Sequence, residues 1–252
     1  MSHVEVFPTS ESLTQAAAEQ VVLLACEAIA ARGRFAVALS GGSTPKALFA
    51  LLASAPLAQR VDWPRVHVFW GDERCVPPDD PRSNFRMAHD ALLGSVPLPE
   101  RNIHRIHGED DPAQAAAAYE QALRDFFARP AEGFDLVLLG MGDEGHTASL
   151  FPGRPTIDEP ARWVAADYIE KVAMWRVTLT PVVINRAANI TFLIAGAGKA
   201  DVLHAVLEGP YQPHVLPAQV VHPSAGRLNW FVDASAAAKL RRVAQHISET
   251  AP

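Results

Sequence analysis

Residues 140–152 read Gly140-Met141-Gly142-Asp143-Glu144-Gly145-His146-Thr147-Ala148-Ser149-Leu150-Phe151-Pro152 and carry the group best suited to moving a proton. Imidazole titrates near neutral pH, so His146 can act as a general base toward water. Glycine tolerates positive φ and lets a ligand approach the backbone, which makes a turn of this composition a candidate binding loop. The structural alternative is a histidine that only caps a loop-to-helix junction. A second charged turn reads Gly71-Asp72-Glu73-Arg74-Cys75-Val76-Pro77. The planar donors of Arg74 suit a carbonyl oxygen, a carboxylate or a developing oxyanion, and Asp72 and Glu73 can orient Arg74 or a sugar hydroxyl. Here the alternative is an Asp–Arg pair that pins the loop.

A third turn, Ser40-Gly41-Gly42-Ser43-Thr44-Pro45, offers free backbone N–H groups, hydroxyls and the positive end of a helix dipole, which together form an anion cradle. The same residues could be a tight strand-to-helix turn with Ser43 or Thr44 as cap and Pro45 in the first helical position. They have neither the Walker spacing nor a dinucleotide fingerprint. Lys199 ends Gly196-Ala197-Gly198-Lys199, where an ammonium suits an anion and sits badly against its own helix dipole. Asn84 and Arg86 could reach the site or start a solvent-facing helix. Ser149 reads as helix structure and Cys75 as incidental packing, since nothing resembles a nucleophile elbow.

These turns need strands to deliver them. Apolar runs or alternation predict strands over 4–7, 35–39, 66–70, 103–106, 134–139, 163–166, 177–179, 190–195, 218–221 and 228–232. Helical spacing and stop signals predict helices over 12–31, 46–52, 81–93, 112–127, 181–187, 199–207 and 234–247, with Thr9 or Ser10 capping the first and Ser83 the third. Residues 167–171 are polar and carry no clear period. Arg176 enters the strand at 177–179. The alternation predicts an α/β protein: one doubly wound, mainly parallel, Rossmann-like sheet with helices on both faces, as a single domain over 1–252. Its carboxyl edge would gather Ser43, Thr44, Asp72, Arg74, His146 and Lys199, and such edges are where ligands bind.

Composition bounds the partners. The 252 residues carry a net charge of −6 and two cysteines. The acidic balance argues against nucleic acid as a main partner, two cysteines make no disulfide framework or metal motif, and no stretch approaches the run of about twenty apolar residues needed to cross a bilayer. We therefore expect no metal, no membrane, no leader segment and a cytoplasmic setting. No internal repeat or long linker is evident.

Taken together, the Ser40–Pro45 turn, Gly71-Asp72-Glu73-Arg74 with Val76-Pro77 and Ser83-Asn84, and residues 140–152 resemble the 6-phosphogluconolactonases of the pentose phosphate pathway, in order and approximate spacing. Glucosamine-6-phosphate deaminases share the Gly-Gly turn, the Asp-Glu pair and a Gly-His loop, but usually continue Ile-Ala-Phe-Asn-Glu-Pro after the histidine. Here the continuation is Thr147 to Pro152, which favours the lactonase. One departure is Glu144, which stands where the family usually has aspartate. The resemblance implies hydrolysis of 6-phospho-D-glucono-1,5-lactone to 6-phospho-D-gluconate without metal or organic cofactor, by a monomer or weak homo-oligomer. His146 would be the base, Arg74 the oxyanion donor and Asp72 an orienting carboxylate. Ser40, Gly41, Gly42, Ser43 and Thr44, with Arg176 and Lys199, would hold the phosphate. The rivals are a sugar-phosphate isomerase or deaminase with Asp72 as base, and a non-catalytic sugar-phosphate sensor.

Overall fold

A computed structural model of the chain describes residues 2–129 and 132–241. In chain order these are β1 (Ser2–Phe7), α1 (Ser10–Arg32), β2 (Phe35–Leu39), α2 (Ser43–Ala53), β3 (Val66–Trp70), β4 (Asp72–Arg74), α3 (Asn84–Ala91), α4 (Pro112–Phe126), β5 (Leu136–Leu139), β6 (Val164–Ile169), β7 (Met174–Leu179), α5 (Pro181–Ile184), β8 (Asn189–Ile194), α6 (Ala200–Glu208) and β9 (Arg227–Asp233), joined by 3₁₀ turns. Six strands form one sheet in the order β1-β9-β8-β5-β2-β3, and every pairing in it is parallel. All residues of β2 and β5 are buried, so both sheet faces are covered, as parallel strands require. The α/β fold expected from the sequence is therefore present.

Local chemistry explains the main elements. Thr9 accepts from the Ser12 N–H and Ser12 answers the Thr9 N–H, a capping box that starts α1; Gly33, at φ 76°, ends it in the left-handed region. Contrary to expectation, α1 is long and apolar enough to cross a bilayer by length and composition, with a mean hydropathy of 1.3. In the fold its Leu13, Ala17, Val21 and Ala28 are buried, and it packs on α2 and the β1–β2–β9 side of the sheet. The sheet core includes Phe192 stacked flat on Trp230, with centroids 3.8 Å apart.

A second, smaller sheet has no counterpart in the sequence reading. Its order is β4-β7-β6 and its pairings are antiparallel. Residues 163–166 and 177–179 are thus arms of one hairpin rather than added members of the parallel sheet, and part of the polar stretch 167–171 belongs to β6. Gly71 links the two sheets. Its N–H donates to Leu39 O on the large sheet and its carbonyl accepts from Leu179 N on the small one, both at 2.8 Å. The chain leaves β3, crosses this one residue and enters β4.

Other expectations are corrected. Residues 103–106 make only an isolated bridge between Ile103 and Val68, and 218–221 are largely a 3₁₀ turn, Pro217–Val220, because proline opens the segment. Of the helix expected over 234–247, residues 236–239 form a 3₁₀ turn, and the part from 242 lies outside the described residues. The helix expected behind His146 is absent. Residues 147–150 instead close a tight bridge with Ala148 at φ 46°.

Candidate active site

The carboxyl ends of β2, β3, β5 and β8 deliver their turns to one cavity of about 480 Å³. Of the predicted site residues, Ser40, Gly41, Gly42, Ser43, Thr44, Asp72, Arg74, His146, Arg176 and Lys199 all line it. Lys171 and Val172, from the tip of the β6–β7 hairpin, line it as well.

The turn after β2 is freer for a ligand than a capped helix start would be. α2 begins at Ser43, with Gly42 at φ 111° in the capping position and no side-chain cap bond. The alternative of a helix cap by Ser43 or Thr44 is therefore not realised. Instead both residues sit in the first helical turn, among amide donors that no helix of its own can satisfy. Gly41 must lack a side chain for a separate reason: a Cβ there would lie 2.1 Å from Asn84 Oδ1.

The loop after β5 is folded around the imidazole. Gly142 N donates to His146 O at 2.8 Å, and Thr147 Oγ1 donates to Gly140 O at 2.8 Å. A Cβ on Gly142 would lie 2.1 Å from His146 Nδ1 and Cε1, so only glycine leaves the ring its place. Phe151 stacks on the imidazole, with centroids 4.1 Å apart. Burial lowers the pKa of His146 below the ordinary histidine value, opposed by the charges of Glu144 and Asp72. The imidazole is accordingly neutral at pH 7, the form a general base needs. Glu144 Oε2 lies 3.3 Å from Nδ1, yet that buried nitrogen has no well-aligned hydrogen-bond partner.

Asp72, Arg74 and Arg176 come from the small sheet. Arg74 and Arg176 are directly opposite each other on β4 and β7. Like charges facing across an antiparallel pair are unfavourable, and the Nε of each guanidinium is buried without a partner. Arg74 donates to the Arg82 carbonyl at 2.5 Å, while Arg176 Nη1 is 3.8 Å from Asp72 Oδ2. Burial lowers the pKa of Arg176, with Asp72 opposing. Two guanidiniums with spare donors, held side by side in a cavity, suit an anionic or strongly polarised oxygen. Lys199 also faces the cavity, but its Nζ is 2.5 Å from Asp143 Oδ1, a partner the sequence did not suggest.

Ser149 and Glu73 differ from the sequence reading, while Asn84 resolves toward the site rather than toward solvent. Ser149 is fully buried, and its hydroxyl donates to Asp72 Oδ2 at 2.7 Å. Asn84, also buried, donates from Nδ2 to the Asp72 carbonyl at 2.8 Å and lies 3.3 Å from Oδ1. Glu73 turns away from the cavity. It accepts from the Arg74, Asn84 and Phe85 N–H groups and from Ser83 Oγ, so it fastens the start of α3 instead of orienting a ligand. Cys75 fits its incidental role: burial and the Glu73 charge push its thiol up to about 11, the reverse of what a nucleophile needs. Among the described residues no group of three or more His, Cys, Asp or Glu side chains is arranged to hold a metal ion.

Comparison with known proteins agrees with this layout. The family model for glucosamine-6-phosphate isomerases/6-phosphogluconolactonase matches residues 8–230. A 6-phosphogluconolactonase of Nostoc sp. is 42% identical over 241 residues, covering 94% of this chain and 98% of that protein. Among solved structures, the 6-phosphogluconolactonase of Trypanosoma cruzi superposes with a TM-score of 0.84 at 28% identity, over 95% of this chain and 97% of that one. A monomeric glucosamine-6-phosphate deaminase gives a TM-score of 0.79 at 23% identity, over 94% and 99%, and shares the fold.

Proposed function

The chain belongs to the glucosamine-6-phosphate isomerase/6-phosphogluconolactonase family and is a hydrolase of the lactonase kind; on that premise we propose that it opens 6-phospho-D-glucono-1,5-lactone by water attack assisted by His146. The product is 6-phospho-D-gluconate, an intermediate of the oxidative pentose phosphate pathway. The observation that carries the mechanism is a desolvated, neutral imidazole sharing a cavity with two guanidiniums whose Nε donors are buried and unpaired.

In this mechanism His146 draws a proton from water as the oxygen attacks the lactone carbonyl, and Arg74 stabilises the oxyanion of the tetrahedral intermediate. Collapse of that intermediate breaks the bond from the carbonyl carbon to the ring oxygen, which leaves as a hydroxyl with the proton held by His146. Asp72, held by Ser149 and Asn84, orients water or Arg74 and offsets the charge of Arg176. The Ser40–Thr44 turn, Lys199 and Arg176 hold the phosphate and so fix the position of the carbonyl. Because Arg176 stands opposite Arg74, the substrate's two oxygen-rich ends must lie close to that pair. General-base assistance contributes about 10²–10⁴ in rate and one oxyanion donor about 10²–10³, enough for an activated ester without a covalent intermediate.

We infer further that one domain spanning 1–252 carries the activity, without metal or organic cofactor, as a monomer or weak homo-oligomer in the cytoplasm, with no nucleic acid or membrane as partner. The test is product chemistry. Freshly made lactone should give 6-phosphogluconate well above the spontaneous rate, while glucosamine 6-phosphate should release no ammonia. Ammonia release with no gain in lactone hydrolysis would replace this function with the deaminase one.

A further inference from the structure

The catalytic role given to His146 leaves Lys171 unused, although it enters the same cavity from a different element. Its Nζ lies 2.7 Å from Glu144 Oε1, and the second oxygen of that carboxylate, Oε2, lies 3.3 Å from His146 Nδ1. One carboxylate thus bridges an ammonium and the imidazole. Three further observations make this more than a chance surface pair.

First, Nδ1 is buried and has no well-aligned partner, so a small rotation of Glu144 supplies the one bond it lacks. Second, the hairpin tip is anchored to the His146 loop. Arg154, a few residues beyond that loop, donates from Nε to Asp167 Oδ2 at 2.8 Å and from Nη1 to Glu170 at 3.2 Å, immediately beside Lys171. Third, the tip is shaped to project the side chain: Glu170–Val172 is a 3₁₀ turn closed by Ala173 at φ 46°. The pair itself adds little stability, because the Lys171 side chain is 65% exposed. Its value is positional.

We propose that Lys171 is a positioning residue for the lactonase site: its ammonium holds the Glu144 carboxylate over His146 Nδ1, which keeps the proton on Nδ1 and leaves Nε2 free to accept one from water. Glutamate suits this task better than aspartate, since its longer stem lets one carboxylate reach both partners. This rests on His146 being the base. The groups that act on the imidazole are Glu144 from its own loop, Asp72 from β4 and Arg176 from β7, with Asp143 beyond them. Lys171 works through Glu144 and not by touching the ring.

The charges give the two partners opposite signatures. Removing the ammonium in Lys171→Met leaves Glu144 uncompensated beside the ring, so protonation of His146 becomes easier and its titration moves up. Removing the carboxylate charge in Glu144→Gln moves it down. We would follow the imidazole by NMR titration in the ligand-free protein, reading both its pKa and its tautomer, and measure lactone kinetics in parallel. The expected result is an upward shift in Lys171→Met with kcat down about tenfold and KM little changed, a downward shift in Glu144→Gln, and recovery in Lys171→Arg. An unchanged titration and tautomer in Lys171→Met, or a rise in KM alone, would overturn the proposal and make Lys171 a plain substrate contact. The titration needs no substrate, so it separates this inference from the assigned reaction. A coupling that is present in a protein without lactonase activity sinks the function and not the coupling.

Discussion

The two sheets divide the work of this molecule between them. The central strands of the six-stranded parallel sheet are apolar runs buried on both faces, and that sheet offers the cavity mostly backbone: the glycine turn after β2 and the Gly142–His146 loop after β5. The three-stranded antiparallel sheet offers charged side chains: Asp72, Arg74, Arg176 and, at its hairpin tip, Lys171. The large sheet therefore sets stability and the place of the reacting atoms, while the small one sets the electrostatics. Gly71, hydrogen-bonded to both, fixes one against the other.

Mutations can break that division or sharpen it. The largest effect is expected from Phe192→Ala in β8, which removes a ring stacked on Trp230. Denaturant unfolding should show a loss of about 3–5 kcal/mol, with kcat per folded molecule nearly unchanged. A collapse of activity at full stability would contradict the division. Gly142→Ala should do the reverse, because its Cβ drives into the imidazole. We expect kcat/KM to fall about 10²-fold with little change in Tm. Smaller again is Ser149→Ala, which takes one hydrogen bond from the buried Asp72 carboxylate. It should lower kcat about tenfold, and Ser149→Thr, if it fits, should restore part of the loss.

The smallest effect concerns a histidine pair on the far side of the parallel sheet's edge strand. His67 Nδ1 is 3.1 Å from His104 Nε2, and burial together with the His104 charge lowers the pKa of His67 to about 4. Here no carboxylate opposes the desolvation, whereas Glu144 and Asp72 oppose it at His146. Because the folded value is depressed, the unfolded chain binds more protons as pH falls from about 6.5 toward about 4, so stability drops through that window. His67→Phe should flatten the dependence of Tm on pH by roughly a few degrees, with the discount that a partly exposed group requires, and leave activity at neutral pH intact.

The same division explains what could be seen in the sequence. β2, β3, β5 and β8 announce themselves because a strand buried on both faces has to be apolar throughout, and glycine turns mark where each one ends. The small sheet is hidden. β4 has three residues, all charged, and gives no strand signal, while β6 and β7 are visible as strands over 163–166 and 177–179 but not as a separate antiparallel pair. β4 is specified by its pairing with β7, about a hundred residues along the chain, which local patterns do not encode. Ser149 was missed because Ala148 adopts a left-handed backbone that composition does not advertise. Glu73 was misassigned for a related reason: Asp72 and Glu73 look equivalent in sequence, but alternation along β4 sends one into the cavity and the other to the start of α3.

The most direct test of the account is proton release from freshly prepared 6-phosphogluconolactone at neutral pH, with wild type and His146→Ala compared against the spontaneous background. Fast hydrolysis by the wild type, falling by about 10²–10⁴ in a variant of unchanged Tm, is the predicted result. Hydrolysis that survives in His146→Ala would remove the imidazole from the mechanism and shift the search for the base to Asp72.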